Sequence, residues 1–195
     1  YAGIAYACGY MFDVASNFAN ADSAKMPIVL PLIEDVWKHG LNVATMAWSL
    51  ATHDRILISF RKNIFGAGLM HDFGKIGLAL FATDDYKSLL PKFEEERKLH
   101  PNDDSYESDL ERQIFDLSHE EVGAAILFHS KLLRDLEMEV DFHHNLALVK
   151  SRNPDAFLAG AILNIADRIC TLLITKQNIE VDDFKDILAP HRQYI

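Results

Sequence analysis

The stretch "GLMHDFGKIGLALF", residues 68 to 81, sets a base, an acid and a cation into an otherwise apolar run. His71, Asp72 and Lys75 stand among Leu69, Met70, Phe73, Ile76 and Leu78. Burying a charged group without a partner is expensive. Either the three neutralise one another as a structural plug, or they hold something from outside, above all a metal ion. The same chemistry recurs along the chain. His39 lies three residues after Val36, four before Val43 and seven before Met46, which puts it on the apolar face of a predicted helix. Asp167 sits among Ile165, Ala166 and Ile169 in a strongly apolar segment. With His119 and the pair His143-His144, the series runs His39, His71-Asp72, His119, His143-His144, Asp167, each set on or at the end of a different predicted helix. Imidazole and carboxylate suit hard-to-borderline divalent metals, and a helical bundle can project them inward from separate helices. A lone histidine on an apolar face is more often a core residue, and an ion-paired dyad beside Lys75 explains that segment adequately by itself. The series, read together, favours a metal.

The elements that must position these groups are helical. Pro31 can open a helix at its first turn, followed by Ile33, Val36, Val43, Met46 and Leu50 at spacings of three, four and seven. Ser118 to Glu121 reads as a capping box ahead of "VGAAILFHSKLL". Asn153 then Pro154 is a cap and first-turn signature before Phe157, Leu158, Ala161, Ile162, Ile165, Ile169 and Leu172. A shorter helix from about Asp182 closes the chain. No stretch alternates with period two for long enough to predict a strand. The polar middle, "ATDDYKSLLPKFEEERKLHPNDDSYESD", is broken by Pro91 and Pro101 and reads as exposed helix plus loop over the core. The expectation is one all-α domain over residues 1–195, a helical bundle with ligands projecting into a central metal site.

Bulk properties narrow the function classes. The 195 residues are 49% apolar, which suits a globular fold. With 29 acidic and 19 basic side chains the net charge is −10, which argues against a protein that coats nucleic acid through a basic face. A phosphate-bearing partner is still compatible, because bound cations reverse the local sign. Cys8 and Cys170 form no CxxC and read as two buried thiols, consistent with a reducing, cytoplasmic setting. Asp13 and Asn17 interrupt the apolar opening "YAGIAYACGYMF" before it reaches bilayer length, and no basic segment precedes it, so neither a membrane span nor a signal peptide is expected. The chain starts at Tyr1 inside a helical pattern, which suggests a piece of something longer.

The remaining candidates read as structural. Ser118 is a helix cap, and neither cysteine has a matched histidine, so no nucleophile is arranged for covalent catalysis. His53 ends a helix, His100 precedes Pro101 and His191 is near the C-terminus. His129 lies ten residues past His119, about 1000° around a helix, and should face elsewhere. Trp37 and Trp48 are expected to be packing anchors.

The ordered pattern H…HD…H…HH…D, with "HDFGK" in its middle, resembles the HD superfamily of metal-dependent phosphohydrolases, and more narrowly its HDOD branch. "VWKHGLNVATMAWSLA", "GAGLMHDFGKIGLALF", "LERQIFDLSHEEVGAAIL", "DFHHN" and "ILNIADRIC" each look like a successive HDOD block, from about Leu32 to Thr171. Residues 1 to 20 resemble the helix before it, and the family's N-terminal portion is not represented. A lone HD pair is a weak signal; five ordered blocks are a strong one. The resemblance implies that His39, His71, Asp72 and Asp167 bind one metal. It further implies that Asp72 bridges to a second metal held by His119, His143 and His144, and that Lys75 faces a substrate phosphate. Asp72 and Lys75 are then the catalytic candidates, and the cofactors two divalent ions (Fe, Mn or Mg). Asp35, one turn before His39, falls where related enzymes carry an acidic ligand, but its reach is short. The implied activity is hydrolysis of a nucleotide or small phosphoester. Related enzymes that open cyclic dinucleotides carry a GYP motif after the paired histidines; "HHNLALVKSRNPDAF" has none, so that substrate is not implied. Many HDOD domains have lost ligands and act as signalling modules of bacterial proteins. The alternative expectation is therefore a regulatory module that keeps a metal and works through a signalling protein partner.

Overall fold

Helices account for every regular element among the described residues of the computed structural model, which are 25–53, 61–100, 105–129, 136–141, 143–145, 154–176 and 178–189, with Asp13. In chain order they are α1 (Met26–His53), α2 (Arg61–Met70), α3 (Phe73–Phe81), α4 (Thr83–Leu99) and α5 (Ser105–Phe115). Then come α6 (His119–His129), α7 (Glu137–Asp141), α8 (Pro154–Thr175) and α9 (Val181–Leu188). The all-α expectation holds for them. Cys8, Pro101, Asn153, His191, the side chain of His53 and residues 1–20 other than Asp13 lie outside the described set.

α1 is the axis of the packing, with α2, α3 and α8 set against it. Its buried stripe is Val29, Val36 and Val43, seven residues apart, flanked by Ala44, Ala47 and Ala51. Those positions recur on one face of a 3.6-residue helix. Ile33, Met46 and Leu50 pack half-buried at the edge of the stripe. Facing it are Ile64, Ala67 and Leu69 of α2, and Ala159, Ile162, Leu163, Ala166 and Cys170 of α8. α1 and α2 touch backbone to backbone. A Cβ on Gly68 would stand 2.6 Å from the Ala44 Cα, and one on Gly40 2.7 Å from the Leu69 carbonyl oxygen. Residue size at these two glycines therefore decides how near His39 comes to the turn that carries His71.

A second apolar cluster, Leu78, Ala79, Tyr86, Leu89 and Phe93, joins α3 to α4 and is covered by Tyr106, Leu110 and Phe115 of α5. α6 crosses α3 at Gly74 and then packs on α7. At the far end α9 seats Ile187 against Ile165 and Leu172, its start fixed by a reciprocal Glu180–Asp183 capping box. The α8 window Phe157–Thr175 is long and apolar enough to cross a membrane, but 67% of it is buried within the protein. It also carries Asp167. This is a core helix.

Three local expectations are corrected. α1 starts at Met26, so Pro27 occupies its first turn and Pro31 lies one turn inside. Pro31 is exposed, and the one bond it removes is near an end where few bonds exist. Pro91 sits within α4 rather than breaking it; it too is on the exposed face, where water can satisfy the freed carbonyl. Trp48 is 47% exposed and is no anchor, whereas Trp37 packs against the core. The Ser118–Glu121 capping box is half made: the Glu121 carboxylate accepts from the Ser118 N–H at 2.8 Å, but the Ser118 hydroxyl donates to the same carboxylate at 3.0 Å and accepts from Arg112 at 2.9 Å instead of from the Glu121 N–H.

Candidate metal centre

Five separate segments deliver the sequence-selected residues to one place. His39 comes from the middle of α1, and His71 and Asp72 from the two-residue turn between α2 and α3. His119 is the first residue of α6, His143 and His144 follow α7, and Asp167 points in from α8. His71, Asp72, His119, His143 and Asp167 are buried; His39 and His144 are partly exposed. Ligand-type atoms of His39, His71 and Asp72 lie within 4.8 Å of one another, as do those of His71, His143 and Asp167, and those of His119, His143 and His144. His143 thus stands at the junction of the two halves rather than in one of them. Its ring centroid is 5.1 Å from His71 and 5.6 Å from His119.

Asp72 faces both ways. Its Oδ2 is 3.5 Å from His71 Nε2 and 4.0 Å from His39 Nε2, while its Oδ1 is 3.5 Å from His119 Nε2. Asp167 Oδ1 accepts from His39 Nε2 at 2.7 Å and lies 3.7 Å from His71 Nε2. Two ligands on one ion, each about 2.1 Å from it, stand about 3–3.6 Å apart. The two 3.5 Å separations, from Asp72 to His71 and to His119, are of that size and too long for good hydrogen bonds; the 4.0 Å to His39 is longer.

The hydrogen-bond partners of the buried imidazoles bear on the choice between plug and cation site. His71 Nδ1 donates to the Gly68 carbonyl at 2.8 Å, His143 Nδ1 to the Val140 carbonyl at 2.7 Å, and His119 Nδ1 to Glu111 Oε2 at 2.6 Å. Each partner only accepts, so each ring carries its proton on Nδ1 and in the neutral form turns a lone pair inward from Nε2. All three Nε2 atoms are buried without a hydrogen-bond partner. Three such orphans would cost about 1–3 kcal/mol each if nothing filled the space between them. Ion pairing within the set accounts for Asp72 and Asp167 but not for these lone pairs. A divalent cation accounts for both. The residues present therefore fit the metal that the resemblance implies.

The electrostatics divide the set: Asp72, Asp167, His71 and His143 favour their metal-binding forms, whereas His39 and His119 would release a proton on binding. Burial lowers the His71 imidazole below its ordinary value, and burial with its His144, His71 and His119 neighbours holds His143 well below. Burial would raise the Asp72 carboxyl, yet the Lys75 ammonium and the surrounding imidazoles hold it well below the usual range. Burial likewise opposes ionisation of Asp167, and the His39 hydrogen bond and charge outweigh it. For His39 and His119 burial works against protonation but the carboxylates of Asp167 and Glu111 win, so both are raised. Ionised carboxylates and neutral His71 and His143 are the forms that bind metals.

Lys75 lies at the rim. Its ammonium is 3.0 Å from Asp72 Oδ2 and 2.7 Å from Glu107 Oε2. Glu107 also receives Arg97 at 3.4 Å, though Arg97 is nearer to Glu94, at 3.1 Å. Asp35 is exposed on α1 and acts on Lys38 rather than on the cluster. His129 is exposed at the end of α6.

Three acidic residues of the site were not singled out in the sequence: Glu107, Glu111 and Glu120. Glu111 is fully buried beneath His119, and Glu120 is buried with its Oε1 accepting from the Ser108 hydroxyl at 2.6 Å. Glu107 and Glu111 are four apart and so share a face of α5, which is the one signal the sequence offers. Asn164 of α8 is a further support, donating from Nδ2 to the His143 carbonyl at 2.8 Å. Asn164→Ala should lower stability by about 1–3 kcal/mol by stranding that carbonyl. A urea midpoint equal to wild type would show that the bond holds nothing.

No curated protein and no solved structure matches the chain. The family model described as the HDOD domain matches residues 15–146, which takes in His39, His71, Asp72, His119, His143 and His144 and stops short of Asp167. That match spans well over half of the chain, and the chain belongs to the HDOD family.

Proposed function

We propose that this HDOD protein binds two divalent cations between its helices and acts on a phosphate-bearing small molecule as a metal-dependent phosphohydrolase. The observation that carries the reading is Asp72, whose two oxygens face His71 on one side and His119 on the other, each at 3.5 Å. Charge supports cation binding. Asp72, Asp167, Glu107, Glu111 and Glu120 line or underlie the cluster against the Lys75 ammonium and, through Glu107, the Arg97 guanidinium, among the described residues. The carboxylates outnumber these two cations, and the excess of negative charge favours divalent cations.

His39, His71, Asp72 and Asp167 would hold one ion, and His119, His143 and His144 with the other oxygen of Asp72 the second. Two such ions supply Lewis acidity toward a phosphoryl oxygen and acidify water near neutral pH. The chain's own residues do the rest. Lys75 can exchange Glu107 for a substrate phosphate, since both are anionic oxygen partners. Asp72 and Asp167 stay ionised and fix the charge of the centre. Cys170 is no competing nucleophile, because burial first, then Asp167, pushes its thiol up to about 11. A cytoplasmic location, supported by two distant cysteines with no CxxC, and the lack of a nucleic-acid-coating role, supported by the net charge of −10, belong to the same proposal.

A second reading is a regulatory module that keeps its metal and signals through a protein partner. One observation favours it: Lys75, the phosphate-facing candidate, is already engaged by both Asp72 and Glu107. Metal analysis of the purified protein, followed by turnover on a panel of phosphoesters with added Mn²⁺ or Fe²⁺, separates the readings. Two equivalents of metal with turnover support the hydrolase. Metal without turnover on any phosphoester supports the module. A protein that neither retains metal nor responds to Mn²⁺ in its melting temperature would remove both.

A further inference from the structure

The two fully buried residues of α5 are polar, Ser108 and Glu111, and both are committed to the start of α6. Glu111 makes the closer approach. One oxygen, Oε2, accepts from the His119 backbone N–H at 2.7 Å and from the His119 ring Nδ1 at 2.6 Å. The other, Oε1, is buried and has no hydrogen-bond partner. A fully buried carboxylate with one oxygen unsatisfied is a costly way to join two helices, and an apolar side chain would join them more cheaply. Its geometry is instead suited to fixing His119. The double acceptance sets the ring's rotation by tying it to its own backbone. It also keeps the proton on Nδ1, which leaves the Nε2 lone pair facing Asp72 Oδ1 at 3.5 Å.

We infer that Glu111 is a positioning residue for the cation half formed by His119, His143 and His144, holding His119 in the one tautomer and orientation in which it can be a ligand. The inference rests on the metal-centre reading above. Outer partners of this kind orient a ligating imidazole and raise its basicity, and their removal typically weakens metal affinity about 10–100-fold. The turn between the helices makes the arrangement possible. Asp116 takes a left-handed backbone (φ 60°), which folds α5 back so that a residue eight positions earlier reaches under His119. Asp is among the few side chains that tolerate that conformation.

Two variants separate charge from geometry. In Glu111→Gln the amide oxygen can still accept both N–H groups, so only the charge is lost. In Glu111→Ala both acceptances are lost. The measurements are Mn²⁺ affinity by chelator competition, melting temperature in EDTA and with saturating Mn²⁺, and the ¹⁵N shifts of the His119 ring in the metal-free protein. The expected result is a Mn²⁺ affinity about 10-fold weaker for the Gln variant and about 100-fold weaker for the Ala variant. The His119 ring should keep its Nδ1–H form in wild type and Gln, and lose it in Ala. Wild-type affinity in both variants, with wild type itself binding Mn²⁺, overturns the inference and leaves the metal centre standing. A fall of the melting temperature in EDTA with the Mn²⁺-dependent rise unchanged also overturns it, since Glu111 would then be structural only. A wild type that takes up no Mn²⁺ fails the metal reading itself, and the ring shifts then report on the His119 tautomer alone; an Nε2–H form in wild type would end the inference too.

Discussion

Gly74→Ala is expected to prevent normal assembly of the protein. A Cβ at position 74 would stand 1.8 Å from the His119 carbonyl oxygen and 2.7 Å from the Gly123 nitrogen, both backbone atoms of α6. No rotamer change relieves a clash with backbone, so α3 and α6 would have to separate. Overpacking a core typically costs about 1–3 kcal/mol when side chains can shift. Here they cannot, and the cost should reach on the order of 4 kcal/mol or more, the exceptional range for one substitution. Gly66→Ala is the control. Its Cβ would meet only the Leu136 side chain, at 2.9 Å to Cδ1, which can turn away. Urea denaturation of both variants is the measurement, and equal midpoints would contradict the close crossing of α3 and α6. The same displacement would carry His119 away from Asp72, so metal retention should fall with stability.

Asp72→Asn is the second large effect. The amide keeps the shape but removes the negative charge shared between His71, His119 and Lys75. If Asp72 links two cations, metal content should collapse and so should any hydrolysis. Saturating wild type at about 100 times the dissociation constant should add about 2.7 kcal/mol of stability by mass action, and the mutant should gain little of it. A structural plug gives a different outcome. Lys75 would lose one of two carboxylate partners but keep Glu107 at 2.7 Å, so the mutant would lose stability equally with and without metal. Melting temperatures of both proteins with EDTA and with Mn²⁺ decide it. A mutant that keeps the wild-type rise with Mn²⁺ would sink the bridging role of Asp72.

His39, His71-Asp72 and Asp167 were legible because each interrupts an apolar run, whereas His119 and His143-His144 stood out only by their order in the series and by the family resemblance. His39 on the α1 stripe and Asp167 among isoleucines are conspicuous by type, and the helices that carry them follow from spacing. The supporting carboxylates were not legible. Glu111 differs in no local way from Asp109 or Glu107 in a polar helix, and only the turn at Asp116 aims it at His119. Pro31 and Pro91 misled for a related reason: both sit inside helices on exposed faces, where water can satisfy the carbonyl that loses its partner. The membership of His143 in both halves could not be read either, since sequence order separates residues that the fold puts at a junction.

The His39–Asp167 hydrogen bond joins residues 128 positions apart. The centre is therefore closed by the first and last long helices of the described chain, and it cannot exist until nearly everything between them has been laid down. Closing so long a loop carries an entropic cost that local helix formation does not. Contacts of such high sequence separation form late and slow the search. On the proposed metal-centre reading, cation capture would report completed folding: a nascent chain that lacks α8 offers His39 and His71 without Asp167, a poorer ligand set. Refolding followed by helix content should then run ahead of refolding followed by metal uptake, with the interval set by the docking of α8 on α1.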